Sequence, residues 1–163
     1  MEPETILTSV IEVAIGIAGF SGIVAALSQK GSTISEEGHL YLRVLLTASF
    51  LCIFFSFLPM LLIAAGIDKK LVWVLPSGLW VGAFILVFIY RVIELSKTGA
   101  NFVRRPVVLL TAVCGLSAVG LCVTNVLILE SDWPYLVAMV LVLFAAAFSF
   151  VALLYELLLQ PAG

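Results

Sequence analysis

The chain has 163 residues, 63% of them hydrophobic and 11% charged, with a formal net charge of −2. A soluble domain of this size has too little interior to hide so much apolar side chain, so the class is a single-domain polytopic membrane protein without room for a soluble catalytic module. The slight acidity excludes the basic surface that nucleic-acid binding requires, and three cysteines inside apolar runs (Cys52, Cys114, Cys122) form neither a metal motif nor a disulfide framework.

The opening Met1-Glu2-Pro3-Glu4 is acidic, unlike the basic start of a cleavable signal, and the apolar run behind it reads as a retained span over residues 6–27. At about 100° per residue, Glu12, Gly16, Gly19 and Ala26 fall on one side of that helix, and Ala14, Ala18, Ser21 and Ala25 fall on nearly the opposite side. A helix small on two sides can be approached closely on both. The first helix is therefore expected at the centre of the bundle, with Gly16, Gly19, Ser21 and Gly22 as packing positions.

The second span covers residues 40–66. Ser35 followed by Glu36 and Glu37 is an N-cap with acids in the first turn. Pro59 removes the hydrogen bond to the carbonyl of Phe55 and is expected to kink this helix. Asp68, Lys69 and Lys70 would be costly in mid-bilayer, so they divide it from a third span at 71–95. The fourth span, 107–129, opens at Arg105-Pro106. The fifth, 135–159, is capped by Ser131 or Asp132 with Pro134 in its first turn.

Small or polar seams at helical spacing mark the faces expected to look inward. They are Ser49, Cys52, Ser56 and Pro59 in the second helix, and Gly78 and Gly82 in the third. The fourth carries Thr111, Gly115, Ala118, Cys122 and Asn125; the fifth carries Ala138, Ala145, Ser149, Ala152 and Glu156. Phe50, Phe54 and Phe57 are left to meet lipid or a partner subunit.

Lys30, Lys97, Arg104, Arg105, Arg43 and Arg91 share one side and only Lys69 and Lys70 the other; six against two places the first set in the cytoplasm, the N-terminus outside and the C-terminus inside. Trp73, Trp133 and Tyr135 then suit an outer aromatic belt, and Tyr41, Tyr90 and Tyr155 an inner one.

Glu12 carries the strongest chemical signal, because an ionisable residue inside a span is a functional-site hypothesis by default. It lies about 9 Å along the helix from Ile6. Asn125, Thr124 and Ser77 are candidate hydrogen-bond partners, and Lys69 or Lys70 a candidate cation. Glu12, Asn125 and Ser77 form a candidate ion- or proton-binding set; the competing reading is a glutamate that locks helix packing. Arg43, Arg91, Glu94 and Glu156 form a second set near the inner boundary, read as an ion-pair layer or an inner gate. Gly19-Phe20-Ser21-Gly22 matches the GxSG pattern of rhomboid intramembrane proteases, but the single histidine, His39, sits beside an inner loop and not in a later membrane helix. With no nucleophile–base pair and no metal cluster, the chain is expected not to be an enzyme and to need no metal or other cofactor.

Glu12, the block Ile17-Ala18-Gly19-Phe20-Ser21-Gly22-Ile23, Arg43-Val44-Leu45-Leu46 and Leu58-Pro59 together resemble an uncharacterised family of small bacterial multi-spanning membrane proteins, over roughly the first 65 residues. The resemblance implies a bacterial inner-membrane location and an emphasis on Glu12 and Arg43, and it brings no activity. The expected fold is all-α, five transmembrane helices with the first helix central. The expected role is an accessory or packing protein of the inner membrane, with the bilayer and a homo-oligomer or membrane-protein partner as its contacts. The alternative is an oligomeric cation channel or small transporter with Glu12 as the ion or proton site.

Overall fold

A computed structural model gives the architecture; it describes residues 2–28, 36–98 and 106–159. It shows five long helices: α1 (Pro3–Ser28), α2 (Glu36–Ala64), α3 (Lys69–Thr98), α4 (Pro106–Thr124) and α5 (Asp132–Leu159), with a π-helical turn over Asn125–Leu129 that extends α4. No strand occurs among the described residues. All five helical segments are long and apolar enough to cross a bilayer, so this is a multi-pass membrane protein. Helices suit these sequences because lipid offers the backbone no hydrogen-bond partner, and a helix satisfies its own N–H and C=O groups.

The turn between α2 and α3 has a local cause. Gly66 has φ +72°, a left-handed conformation that glycine adopts at little cost. Its N–H bonds the carbonyl of Ile63, and the N–H of Ile67 bonds that of Leu62, which together close α2 in a Schellman motif. Asp68 then caps α3 by accepting from the N–H of Lys70 at 2.9 Å. The divider expected at residues 67–70 is therefore built from a C-cap followed directly by an N-cap. The Ser35 cap and the loop charges Lys30, Arg104 and Arg105 lie outside the described residues, as do the side chains of Glu36, Glu37, Tyr90 and Lys97.

The first helix is not the central one. α1 packs on α2 and α5, whereas α5 packs on α1, α2 and α4 and also touches α3. Of the α5 span 44% is buried, against 22% for α1. The reason lies in the seams: α5 presents small residues over most of its length, with Ala138, Ala145, Ala146 and Ser149 all buried. Facing it, α2 buries Ala48, Ser49, Cys52 and Ser56. Cys52 donates to the carbonyl of Met139 and Tyr135 to that of Phe55, so the two helices run antiparallel. Small residues let the two backbones approach, and that close α2–α5 contact is the spine of the bundle.

Only one of the two small sides of α1 is used inside the chain. Ala14 and Ser21 are buried, while Glu12, Gly16, Gly19 and Gly22 are exposed. On α3 the glycines also point away. Gly78 and Gly82 are exposed, and the inward face instead carries Val72, Trp73, Pro76, Ser77 and Trp80. A Cβ placed on Gly16, Gly19, Gly22, Gly78 or Gly82 would meet no atom within 4 Å, so none of these five is a packing position within the chain. Ser21 is buried, and its hydroxyl donates to the carbonyl of Ile17 at 2.6 Å. Gly115 behaves as the seam argument expects, because a Cβ there would lie 2.7 Å from the ring of Phe84.

The aromatic belts are also redistributed. Trp133 and Tyr155 are exposed, but Trp73, Tyr135 and Tyr41 are buried. Trp73 and Tyr135 meet at a tilt of 53° with ring centroids 6.0 Å apart, and Phe55 meets Trp80 edge to face at 4.9 Å. Near the amino end of α1 the bundle thus has an aromatic core, in which the size of the rings prevailed over their preference for an interface.

Candidate functional site

The polar residues expected to act together separate into two places. Asn125 is fully buried where α4 opens into the π-helical turn. Its Nδ2 donates to Ser77 Oγ at 3.0 Å, and Ser77 in turn donates to the carbonyl of Trp73 at 2.7 Å. The Oδ1 of Asn125 accepts from the N–H of Ser131 at 2.9 Å. Its backbone carbonyl accepts from the N–H of Glu130 at 3.0 Å. One side chain therefore ties α3 to α4 and shapes the link into α5. Each of these polar groups has a protein partner, as groups out of reach of water require.

Glu130 follows in a left-handed conformation, φ 43° and ψ 39°, which is unfavourable for a residue with a Cβ. Its carboxylate holds Lys70 at 2.6 Å, with both side chains well exposed. Lys70 is thus engaged with Glu130 and is not the cation for Glu12. The π-helical turn has no signature in the hydrophobic pattern; an asparagine four residues before the end of the apolar run is the available hint.

Glu12 stands apart from this network. It is exposed on α1, about 13.5 Å along the helix from Pro3 at 1.5 Å per residue. Asn125 and Ser77 bond each other and not Glu12. Around it on the same exposed face lie Thr5, Ser9, Gly16, Gly19 and Ile23, one helical stripe at 3–4 spacing. Thr8 and Ser9 turn their hydroxyls to the carbonyls of Glu4 and Thr5, so those donors are occupied within α1. The arrangement is a carboxylate inside a span, on the bilayer side of the bundle, beside a strip of bare helix backbone.

At the opposite end, Arg43 is exposed and Glu156 half-buried, and the Arg43 carbonyl accepts from Thr47 at 2.8 Å. The side chains of Arg91 and Glu94 lie outside the described residues, as does the layer they were expected to complete. His39 is exposed near the start of α2. Among the described residues no group of three His, Cys, Asp or Glu side chains is placed to hold a metal ion.

One contact of consequence escaped the sequence reading. Pro59 has no N–H for the carbonyl of Phe55, four residues back. The hydroxyl of Tyr135, fully buried on α5, donates to that same carbonyl. The proline signalled the vacant acceptor; nothing in the pattern of α5 signalled which helix would fill it.

Comparison with protein-family models, with curated proteins and with solved structures found no match.

Proposed function

We propose that this chain is a non-enzymatic accessory protein of the bacterial inner membrane, N-terminus outside and C-terminus in the cytoplasm, that acts by binding another membrane-embedded helix through the outward face of α1. The observation that carries the reading is the exposed Glu12 within a span, beside Gly16 and Gly19 with no atom in front of them. A carboxyl group facing hydrocarbon is costly, and such groups turn toward a protein partner or a water-filled cavity. Glycine strips are where membrane helices approach each other most closely. Asn125, Ser77 and Tyr135 at the same end bond within the chain and not to Glu12.

The test is photo-crosslinking in living cells from a reactive residue placed at Ile23, compared with one at Phe54. The two are similarly exposed, 59% and 61%. A discrete protein adduct from Ile23 and only lipid adducts from Phe54 support the reading; lipid adducts from both overturn it. The transport reading draws on the same residue and requires several copies with their α1 faces turned to a shared axis. Cation flux into liposomes that is lost in Glu12→Gln would establish it in place of the accessory role.

A further inference from the structure

We propose that the seam between α1, α2 and α5 binds water within the depth of the bilayer, one molecule at the hydroxyl of Ser49 and one at that of Ser56. This site is separate from the outward face of α1 and does not depend on what that face binds.

Ser49 and Ser56 are both fully buried, and among the described residues neither hydroxyl has a hydrogen-bond partner. Other serines of the spans behave differently. Ser21, Ser77 and Ser149 are buried to the same degree, and each donates to the carbonyl four residues back, at 2.6, 2.7 and 2.9 Å. Ser49 and Ser56 have such carbonyls in their own helix, those of Leu45 and Cys52, and do not bond them. A buried hydroxyl without a partner forfeits the bond it makes in water, so such groups are satisfied by protein or by ordered water. Trp80 Nε1 and Ser131 Oγ are also buried without a partner, but they stand on other elements, whereas α2 carries two such groups on one face.

At about 100° per residue, Ser49, Cys52 and Ser56 fall within about 60° of one another around α2. Cys52 faces α5, where its thiol donates to the carbonyl of Met139. On one flank of Cys52, Phe55 meets Trp80 of α3. Ser49 and Ser56 lie on the other flank, the side of α1, since α1, α3 and α5 are the helices that pack on α2. The two hydroxyls are thus turned away from the bond between Tyr135 and Phe55. The helices across the seam present small side chains, Ala14 on α1 and Ala138, Ala145 and Ala146 on α5, all buried.

The chemistry of the seam selects a neutral ligand. No charged residue occurs in 13–28 of α1, 44–64 of α2 or 133–155 of α5, so an ion bound there would have no counter-charge at a depth where charge is costly. Water is neutral, and it both donates and accepts. It accepts from the serine hydroxyl and donates to the carbonyl one turn back, which keeps a second lone pair after its helical bond. Those bonds supply the minimum of about two partners that a buried water needs.

The experiment uses the purified, isotope-labelled full-length chain in liposomes and follows magnetisation transfer from water protons by solid-state NMR. Transfer to the Cβ of Ser49 and Ser56 is expected to be several-fold faster than to the Cβ of Ser77 and Ser149, which are as deeply buried but bonded to backbone. Equal transfer at all four serines, fast or slow, overturns the proposal. Ser49→Ala is expected to slow transfer to the carbonyl carbon of Leu45 several-fold and Ser56→Ala that of Cys52, each leaving the other site unchanged. Carbonyl carbons as fast after loss of the hydroxyl as before would show that the water does not belong to the serines, and would also overturn it.

Discussion

Replacing Tyr135 by phenylalanine removes one hydroxyl and leaves the ring in place against Trp73. The lost bond is the one to the carbonyl of Phe55, which Pro59 deprives of its usual helical donor. Interhelical hydrogen bonds in bilayers average about 0.6 kcal/mol and reach about 1.7 kcal/mol. This bond belongs at the upper end, because Tyr135 is fully buried and neither water nor the α2 backbone can substitute for it. Tyr135→Phe should therefore destabilise the bundle by about 1–2 kcal/mol. Pro59→Ala restores an N–H four residues beyond Phe55, so in that background the same change should cost about 0.5 kcal/mol or less. The assay is a double-mutant cycle on reversible unfolding in bicelles, which isolates the coupling between the two positions. Equal losses from Tyr135→Phe in both backgrounds would refute the claim that the tyrosine answers the proline.

Other substitutions test the remaining contacts. Asn125→Leu should cost about 1–3 kcal/mol in the same unfolding assay, since it strands the N–H of Ser131 and removes the bond to Ser77. Ser77→Ala should cost less, because Asn125 keeps its bond from Ser131. Glu130→Gly exchanges a strained left-handed residue for one that tolerates it and loses an exposed, solvent-screened ion pair with Lys70, so the unfolding midpoint should not fall. Gly115→Ala should destabilise by about 1 kcal/mol, with partial rescue by Phe84→Leu, whereas Gly78→Ala and Gly82→Ala should be neutral or mildly stabilising.

The number of helices and most of their inward faces were legible in the sequence, because both depend on local quantities. Apolar run length sets a span, and Asp68-Lys69-Lys70 could not sit within one. The α2, α4 and α5 seams faced inward as expected: Ser49, Cys52 and Ser56, then Ala118, Cys122 and Asn125, then Ala138, Ala145 and Ser149 are all buried. The glycine seams of α1 and α3 did not, and the reason is physical. In lipid a small stripe says that a helix can be approached, but it does not say whether the neighbour belongs to the same chain. A helix small on two sides therefore looked central, although one of its sides is turned outward. Helix adjacency was illegible for the same reason, since α5 gains its place from competition among five similar surfaces. The pairing of Ser77 with Asn125 was visible as a set of polar residues, but the exclusion of Glu12 from it required knowing that α1 packs on α2 and α5, away from the Ser77–Asn125 pair between α3 and α4.

The central claim is that the Glu12 face of α1 is covered in the membrane, although the chain alone leaves it open. Ile23 on that face and Val113 on α4 have the same exposure in the isolated chain, 59% and 60%. A spin label at each position, read for oxygen accessibility in bilayers, compares them directly. The account predicts a label at Ile23 several-fold less accessible than one at Val113, with the difference lost when Gly16→Leu and Gly19→Leu are introduced together. Equal and high accessibility at both positions, unaffected by the two leucines, would contradict it.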